Sequence, residues 1–210
     1  MGEEVKAVIF DMGGVFLKYP DPGVLDRIIQ LCNEHDHLAT MLEDFELGNT
    51  SVNQIKNHIA DIDDEKLRAM LANGVKTLAP VSDKSKQVID ENFVTATKIL
   101  REKGFKTALL TNNGWADDEK TTSICLQNVD IFDIVVESCK VKMRKPFPEI
   151  YLLTAEKLGL KPEQCVFIDD LEANIEGAKK VGMKGIRVVL GDSETAIKEL
   201  QDLLKIDLKA

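Results

Sequence analysis

The sequence predicts an α/β protein, a doubly wound and mainly parallel sheet with a small α-helical domain inserted after its first strand. Three observations carry that expectation. Five short apolar, β-branched runs recur along the chain, stretches of helical period separate the later ones, and one connection is far too long for a single crossover helix. The runs are KAVIF (6–10), KTALLT (106–111), DIVVES (133–138), QCVFID (164–169) and GIRVVL (185–190), each reading as a buried parallel strand. Between them the pattern predicts helices over 92–103, stopped by Gly104, over 117–127, over 147–158, opened by Pro146 and closed by Gly159, and over 171–181, closed by Gly182.

The long connection holds 95 residues, from the end of the first run at Phe10 to the start of the second at Lys106. It contains no convincing strand. It does contain amphipathic stretches, GVLDRIIQLCNEH, SVNQIKNHIADI and EKLRAMLANGVKTL, with Ser51 as a candidate helix cap. Residues 17–91 are therefore expected to form a helical cap domain, and residues 1–16 with 92–210 the α/β core. Met41, Met70 and the leucines of the last stretch are expected in the core of the cap.

In an open parallel sheet, ligands gather beyond the carboxyl ends of the strands. The first run ends in Asp11, followed by Met12 and the pair Gly13-Gly14; the second ends in Thr111-Asn112-Asn113; the fourth ends in Asp169-Asp170. Folding would bring three carboxylates, a hydroxyl and two amides to one edge. Clustered carboxylates repel unless a cation holds them, and an all-oxygen set suits a hard ion such as Mg²⁺. The segment KVKMRKPFPEIY adds cations. Lys140, Lys142 and Arg144 read as surface charges, whereas Lys145, set just before a helix start, calls for an opposing anion, either a carboxylate or a bound phosphate.

Composition narrows the function classes. Thirty-six acidic and 27 basic residues give a net charge of −9, which disfavours nucleic acid and anionic membrane surfaces as partners. No apolar run reaches membrane-spanning length, and the N-terminal MGEEVK has neither a signal core nor a lipidation pattern, so a cytoplasmic location is expected. Cys32, Cys125, Cys139 and Cys165 show no metal or disulfide spacing, and His35, His37 and His58 no ligand spacing. They read as reduced thiols and as surface or packing imidazoles. The lone Trp115 reads equally as an entrance residue or as packing. The motif DMGGVF lacks both nucleotide-binding glycine patterns, and the acidic pair follows the fourth strand rather than the first, unlike a signal-receiver domain.

Taken in order, FDMGGV, LLTNN, RKP and FIDDLEAN resemble the four motifs of the haloacid dehalogenase-like superfamily, with its Rossmann-like core. Residues 107–183 are similar to the N-terminal phosphatase domain of soluble epoxide hydrolases and to the related domain fused to some acyl-CoA dehydrogenases. The resemblance implies a Mg²⁺-dependent phosphatase with a small phosphorylated substrate, lipid phosphates among the classes implied. It assigns Asp11 as the nucleophile that forms an aspartyl-phosphate, Lys145 as its catalytic partner, and Thr111, Asn112 and Lys145 as binders of the phosphoryl oxygens. Asp11, Asp170 and the carbonyl of Gly13 would hold the metal, with Asp169 and Asn174 behind them.

One position departs. The family's phosphatases usually carry a second aspartate two residues after the nucleophile, as general acid and base, and here that place is Gly13. Four readings stay open: a phosphatase whose acid comes from elsewhere, such as Asp21, Asp44, Glu46 or the substrate; one specialised for good leaving groups; a catalytically degenerate protein that binds a phosphorylated ligand or partner; and a dehalogenase.

Overall fold

Every segment expected as a strand lies in one parallel sheet of the computed structural model, which describes residues 3–208 apart from 20, 22, 84, 85 and 190, with the side chains of 77–82 also outside the description. The N-terminal Met-Gly, the last residue expected in the fifth strand and the side chain of Leu78 lie outside the described residues. The strands are β1 (Ala7–Phe10), β2 (Lys106–Thr111), β3 (Ile134–Glu137), β4 (Cys165–Asp169) and β5 (Lys184–Arg187), in the order β3-β2-β1-β4-β5. β1 is central, with Phe10 opposite Leu109 on one side and Ile168 on the other. That register ends β1, β2 and β4 at nearly one level, so that Asp11, Thr111 and Asp169 emerge together.

Both faces of the sheet are covered, which is why the strands read as continuous apolar runs rather than alternating ones. One core packs Val8, Phe10, Phe16, Phe93, Leu109, Val166 and Ile168 under α5 (Glu91–Glu102) and α9 (Ser193–Leu204). The other packs Ile9, Leu110, Tyr151 and Phe167 under α7 (Pro148–Leu158) and α8 (Glu172–Lys180).

The long connection is helical: α1 (Val24–Glu34), α2 (Asp36–Glu46), α3 (Val52–Ala60) and α4 (Glu65–Ser82), with a small core of its own around Leu31, Leu38, Ile59, Leu67 and Leu71. Ser51 caps α3 as expected, accepting from the Gln54 N–H while Gln54 reaches back to the Ser51 N–H. Met41 packs against this core, but Met70 is 45% exposed and does not.

Two helix expectations fail. Residues 117–127 are not helical. The Asp117 carboxylate accepts the N–H groups of Thr121 and Thr122, and Trp115 pairs with Ser123 in an antiparallel bridge, so side-chain capture outcompetes helical pairing. The helix expected to open at Pro146 begins at Pro148, after a short α6 (Ser138–Val141) and a turn that carries Lys145. Among the described residues, no helix is long and apolar enough to cross a membrane.

Candidate active site

Asp11, Asp169 and Asp170 meet beyond the carboxyl end of the sheet, each offering a carboxylate oxygen within 4.8 Å of the others. Asp11 follows β1 directly, its N–H bonded to the Ile168 carbonyl at 2.8 Å, which fixes the end of β1 against β4. Lys145 lies between two of the three: its Nζ is 2.7 Å from Asp11 Oδ1 and 2.7 Å from Asp169 Oδ2, and it donates to the Leu110 carbonyl at 3.2 Å. At 1% exposure, this ammonium has no solvent to fall back on. Its opposing anions are the carboxylates themselves.

Two glycines make room for this arrangement, each for a different neighbour. Gly14 has φ +72°, which favours glycine, and a Cβ there would lie 2.2 Å from Asp170 Oδ2. A Cβ on Gly13 would lie 2.0 Å from the hydroxyl oxygen of Tyr19. The first absent side chain admits the third carboxylate, the second a phenol that sequence reasoning did not single out.

Asp169 is fully engaged. Beyond Lys145 it accepts from Asn174 Nδ2, at 3.0 Å to Oδ1 and 3.1 Å to Oδ2, and from the Leu171 N–H at 2.8 Å. Asp170 differs: its Oδ1 is buried without a hydrogen-bond partner, so it is available to a cation. Thr111 is buried at the end of β2. Asn112, expected to bind phosphoryl oxygens, clamps the Lys145 turn, accepting from the Lys145 N–H at 2.9 Å and donating to its carbonyl at 3.0 Å.

The electrostatics follow from burial. Burial raises Asp11 to about 7, and repulsion from Asp169 adds to the rise while Lys145 opposes it. Asp170 rises to about 8, first through burial and then through Asp11 and Asp169. Lys145 moves upward because Asp11 and Asp169 outweigh its own desolvation. Burial pushes Tyr19 well above an ordinary phenol, with Asp170, Asp11, Asp169 and Glu46 adding to the shift.

The helical insert reaches the site through Glu46, at the end of α2. Its Oε2 accepts from Arg144 Nε at 2.6 Å and from Asn112 Nδ2 at 3.3 Å, and its carbonyl accepts from Ser138 Oγ at 2.6 Å. Burial raises the Glu46 pKa against Arg144, Lys145 and Asn112, which lower it. Arg144 thus holds the helical insert through Glu46 rather than standing as the surface charge expected, and Lys142 donates to the Gly48 carbonyl at 2.9 Å, whereas Lys140 pairs with Glu137 and stays half exposed. Asp21 is occupied by Arg27, and Asp44, in the last turn of α2, accepts from Asn49 Nδ2 at 2.9 Å in an exposed bond. Cys139 is buried and its thiol is pushed up to about 12, no nucleophile; Trp115 buries an indole N–H without a partner.

A family model described as haloacid dehalogenase-like hydrolase matches residues 5–182. The chain belongs to the haloacid dehalogenase-like hydrolases. It is 34% identical over 218 residues to mouse acyl-CoA dehydrogenase family member 10, covering 99% of the chain and 20% of that protein. It is 36% identical over 117 residues to rat bifunctional epoxide hydrolase 2, covering 54% of the chain and 21% of that protein. The chain thus spans about a fifth of the length of these relatives, and phosphatases are also among its relatives. Among solved structures, the wild-type HAD family enzyme bt-2542 from Bacteroides thetaiotaomicron, in complex with magnesium and inorganic phosphate, shares the fold at a TM-score of 0.59 and 20% identity, covering 92% of this chain and 98% of that one.

Proposed function

We propose that this haloacid dehalogenase-like hydrolase is a Mg²⁺-dependent phosphatase that acts on small phosphorylated substrates through an aspartyl-phosphate on Asp11. The observation that carries this reading is the meeting of Asp11, Asp169 and Asp170 at one edge of the sheet, two of them buried and paired with the buried Lys145. Three carboxylates against one ammonium leave a formal surplus of two negative charges, the Asp170 Oδ1 has no partner, and every donor is an oxygen. That set fits a hard divalent ion. Asp11, Asp170 and the Gly13 carbonyl would hold it, with Asp169 and Asn174 keeping the carboxylates in place. When bound, the ion supplies Lewis-acid neutralisation of phosphoryl charge.

The chain's own residues do the remaining work. Asp11 attacks phosphorus in line, Lys145 neutralises a phosphoryl oxygen while keeping Asp11 oriented, and Thr111 supplies a hydroxyl at the adjacent strand end. Asn112 acts through Lys145 by fixing its backbone. The complex of bt-2542 with magnesium and inorganic phosphate supports the same ligand pair here. The test is hydrolysis of p-nitrophenyl phosphate with and without Mg²⁺, in the parent and in Asp11→Asn. Metal-dependent turnover that Asp11→Asn abolishes is expected; equal turnover in the variant would refute the reading.

Gly13 favours a second reading, a protein that binds a phosphorylated ligand without turnover, because the residue that usually shuttles the proton is absent. Phosphate binding by calorimetry in a parent with no phosphatase activity would select it.

A further inference from the structure

The place left by the missing acid/base is not empty. The Tyr19 hydroxyl oxygen lies 2.0 Å from the position a Cβ would take on residue 13, and its Cζ lies 2.8 Å away. A carbon–carbon bond is about 1.5 Å long, so the carboxyl group of an aspartate at position 13 would begin in the space that this hydroxyl fills. Asp11, Asp169, Asp170 and Glu46 all face the phenol closely enough to act on it electrostatically. Tyr19 also lines a cavity of about 210 Å³ together with Gly14, Asp170, Leu25 and Arg187.

We propose that Tyr19 replaces the missing aspartate as a fixed hydrogen-bond donor to the oxygen that leaves phosphorus, and that this makes the site selective for phosphates with acidic leaving groups, the aryl and acyl phosphates. The inference rests on the phosphatase reading above. A phenol near pKa 10 is a neutral donor at neutral pH but a far weaker acid than a carboxyl group. It steadies an oxyanion without surrendering its proton. In the first step the Asp11 oxygen–phosphorus bond forms and the bond from phosphorus to the leaving oxygen breaks. The electron pair stays on that oxygen, which departs as an anion held by the Tyr19 O–H; a carboxylate leaving group stays ionised at neutral pH, and a basic phenolate takes its proton from solvent after release. Water then attacks phosphorus, the Asp11–phosphorus bond breaks with its pair returning to the carboxylate, and the water proton goes to bulk. A poor leaving group such as an alkoxide is not served, because no residue hands it a proton at bond cleavage.

Two experiments test this. The first compares kcat/KM for p-nitrophenyl, phenyl, alkyl and acetyl phosphates in the parent, Tyr19→Phe and Asp11→Asn. The parent is expected to lose activity steeply from nitrophenyl to alkyl. Tyr19→Phe is expected to lose about 10²-fold, the scale of one oxyanion donor, with a larger loss on phenyl than on p-nitrophenyl phosphate and unchanged affinity for inorganic phosphate. A Tyr19→Phe profile superimposable on the parent's overturns the proposal, as does a parent inert on both p-nitrophenyl and acetyl phosphate. Full activity in Asp11→Asn instead overturns the nucleophile reading, which separates the two failures. The second experiment measures thermal denaturation of Gly13→Ala, Tyr19→Ala and the double variant. Gly13→Ala is expected to lower Tm with Tyr19 present and to be tolerated without it; equal effects in both backgrounds would mean that Tyr19 does not occupy that place. By the same geometry, Gly13→Asp gains alkyl phosphatase activity only when combined with Tyr19→Ala.

Discussion

The carboxylate of Asp170 lies where a side chain on Gly14 would have to begin, 2.2 Å from its Oδ2. The glycine and the acid are two halves of one device: the loop after β1 passes close enough to Asp170 only because Gly14 carries nothing and adopts φ +72°. Gly14→Ala is therefore expected to be destabilising by at least the ~1–2 kcal/mol of a left-handed non-glycine residue, with a further penalty for displacing Asp170. Denaturant melts and Mg²⁺ titration calorimetry check this together. The variant should lose metal affinity even under conditions where it remains folded.

Lys145 offers a sharper contrast. Removing a cation that is 1% exposed strands Asp11 and Asp169 beside one another. Breaking a buried pair in this way typically costs about 3–5 kcal/mol. Lys145→Ala should show a loss on that scale in metal-free melts and only a fraction of it when Mg²⁺ is present, since a cation then answers the same carboxylates. A variant equally unstable with and without Mg²⁺ would separate Lys145 from the carboxylates proposed to hold the metal.

Metal-free stability should fall as pH rises. Asp11 moves from 3.8 to about 7 and Asp170 from 3.8 to about 8 on folding, so between those limits the folded state binds more protons than the unfolded state. Stability then decreases with increasing pH, being greatest near pH 4 as far as these two groups are concerned and lost through about pH 8. Mg²⁺ must displace those protons, so its affinity should weaken below pH 7. Thermal melts from pH 5 to 8, with and without Mg²⁺, read both trends: a falling metal-free Tm and a Mg²⁺-dependent rise that is largest at pH 8.

The sheet was legible because strands buried on both faces read as unbroken apolar runs, and the helical insert because 95 residues cannot be one crossover. The meeting of Asp11, Thr111 and Asp169-Asp170 at one edge followed from the rule that polar residues at parallel strand ends share an edge, and the place of Lys145 against two of the carboxylates from its need for an opposing anion just before a helix start. Tyr19 was not legible. Its neighbour through space is Gly13, six residues earlier, and a loop tyrosine has no period to announce where its hydroxyl goes. Residues 117–127 misled because period reports apolar spacing, while Asp117 capturing two backbone N–H groups is a local competition that period does not register. Arg144 read as a surface charge because its partner Glu46 lies 98 residues away, at the end of a helix in the insert.

That Glu46–Arg144 pair is expected to govern how the helical insert sits over the site. Arg144 is 20% exposed and Glu46 14%, and Glu46 also touches Asn112, which in turn fixes both backbone groups of Lys145. A disturbance at Glu46 thus reaches Lys145 through one side chain. Arg144→Ala leaves a buried carboxylate whose pKa burial already raises. It should destabilise by about 1–3 kcal/mol, the desolvation penalty of an unsatisfied buried group. Glu46→Gln keeps the amide contact but removes the charge, and should be milder. If the pair works through position, both variants raise KM more than they lower kcat, and the double variant Arg144→Ala/Glu46→Gln is less impaired than the sum of the two singles, because no charge is then left stranded. Strictly additive losses would mean that the two residues act on the site separately.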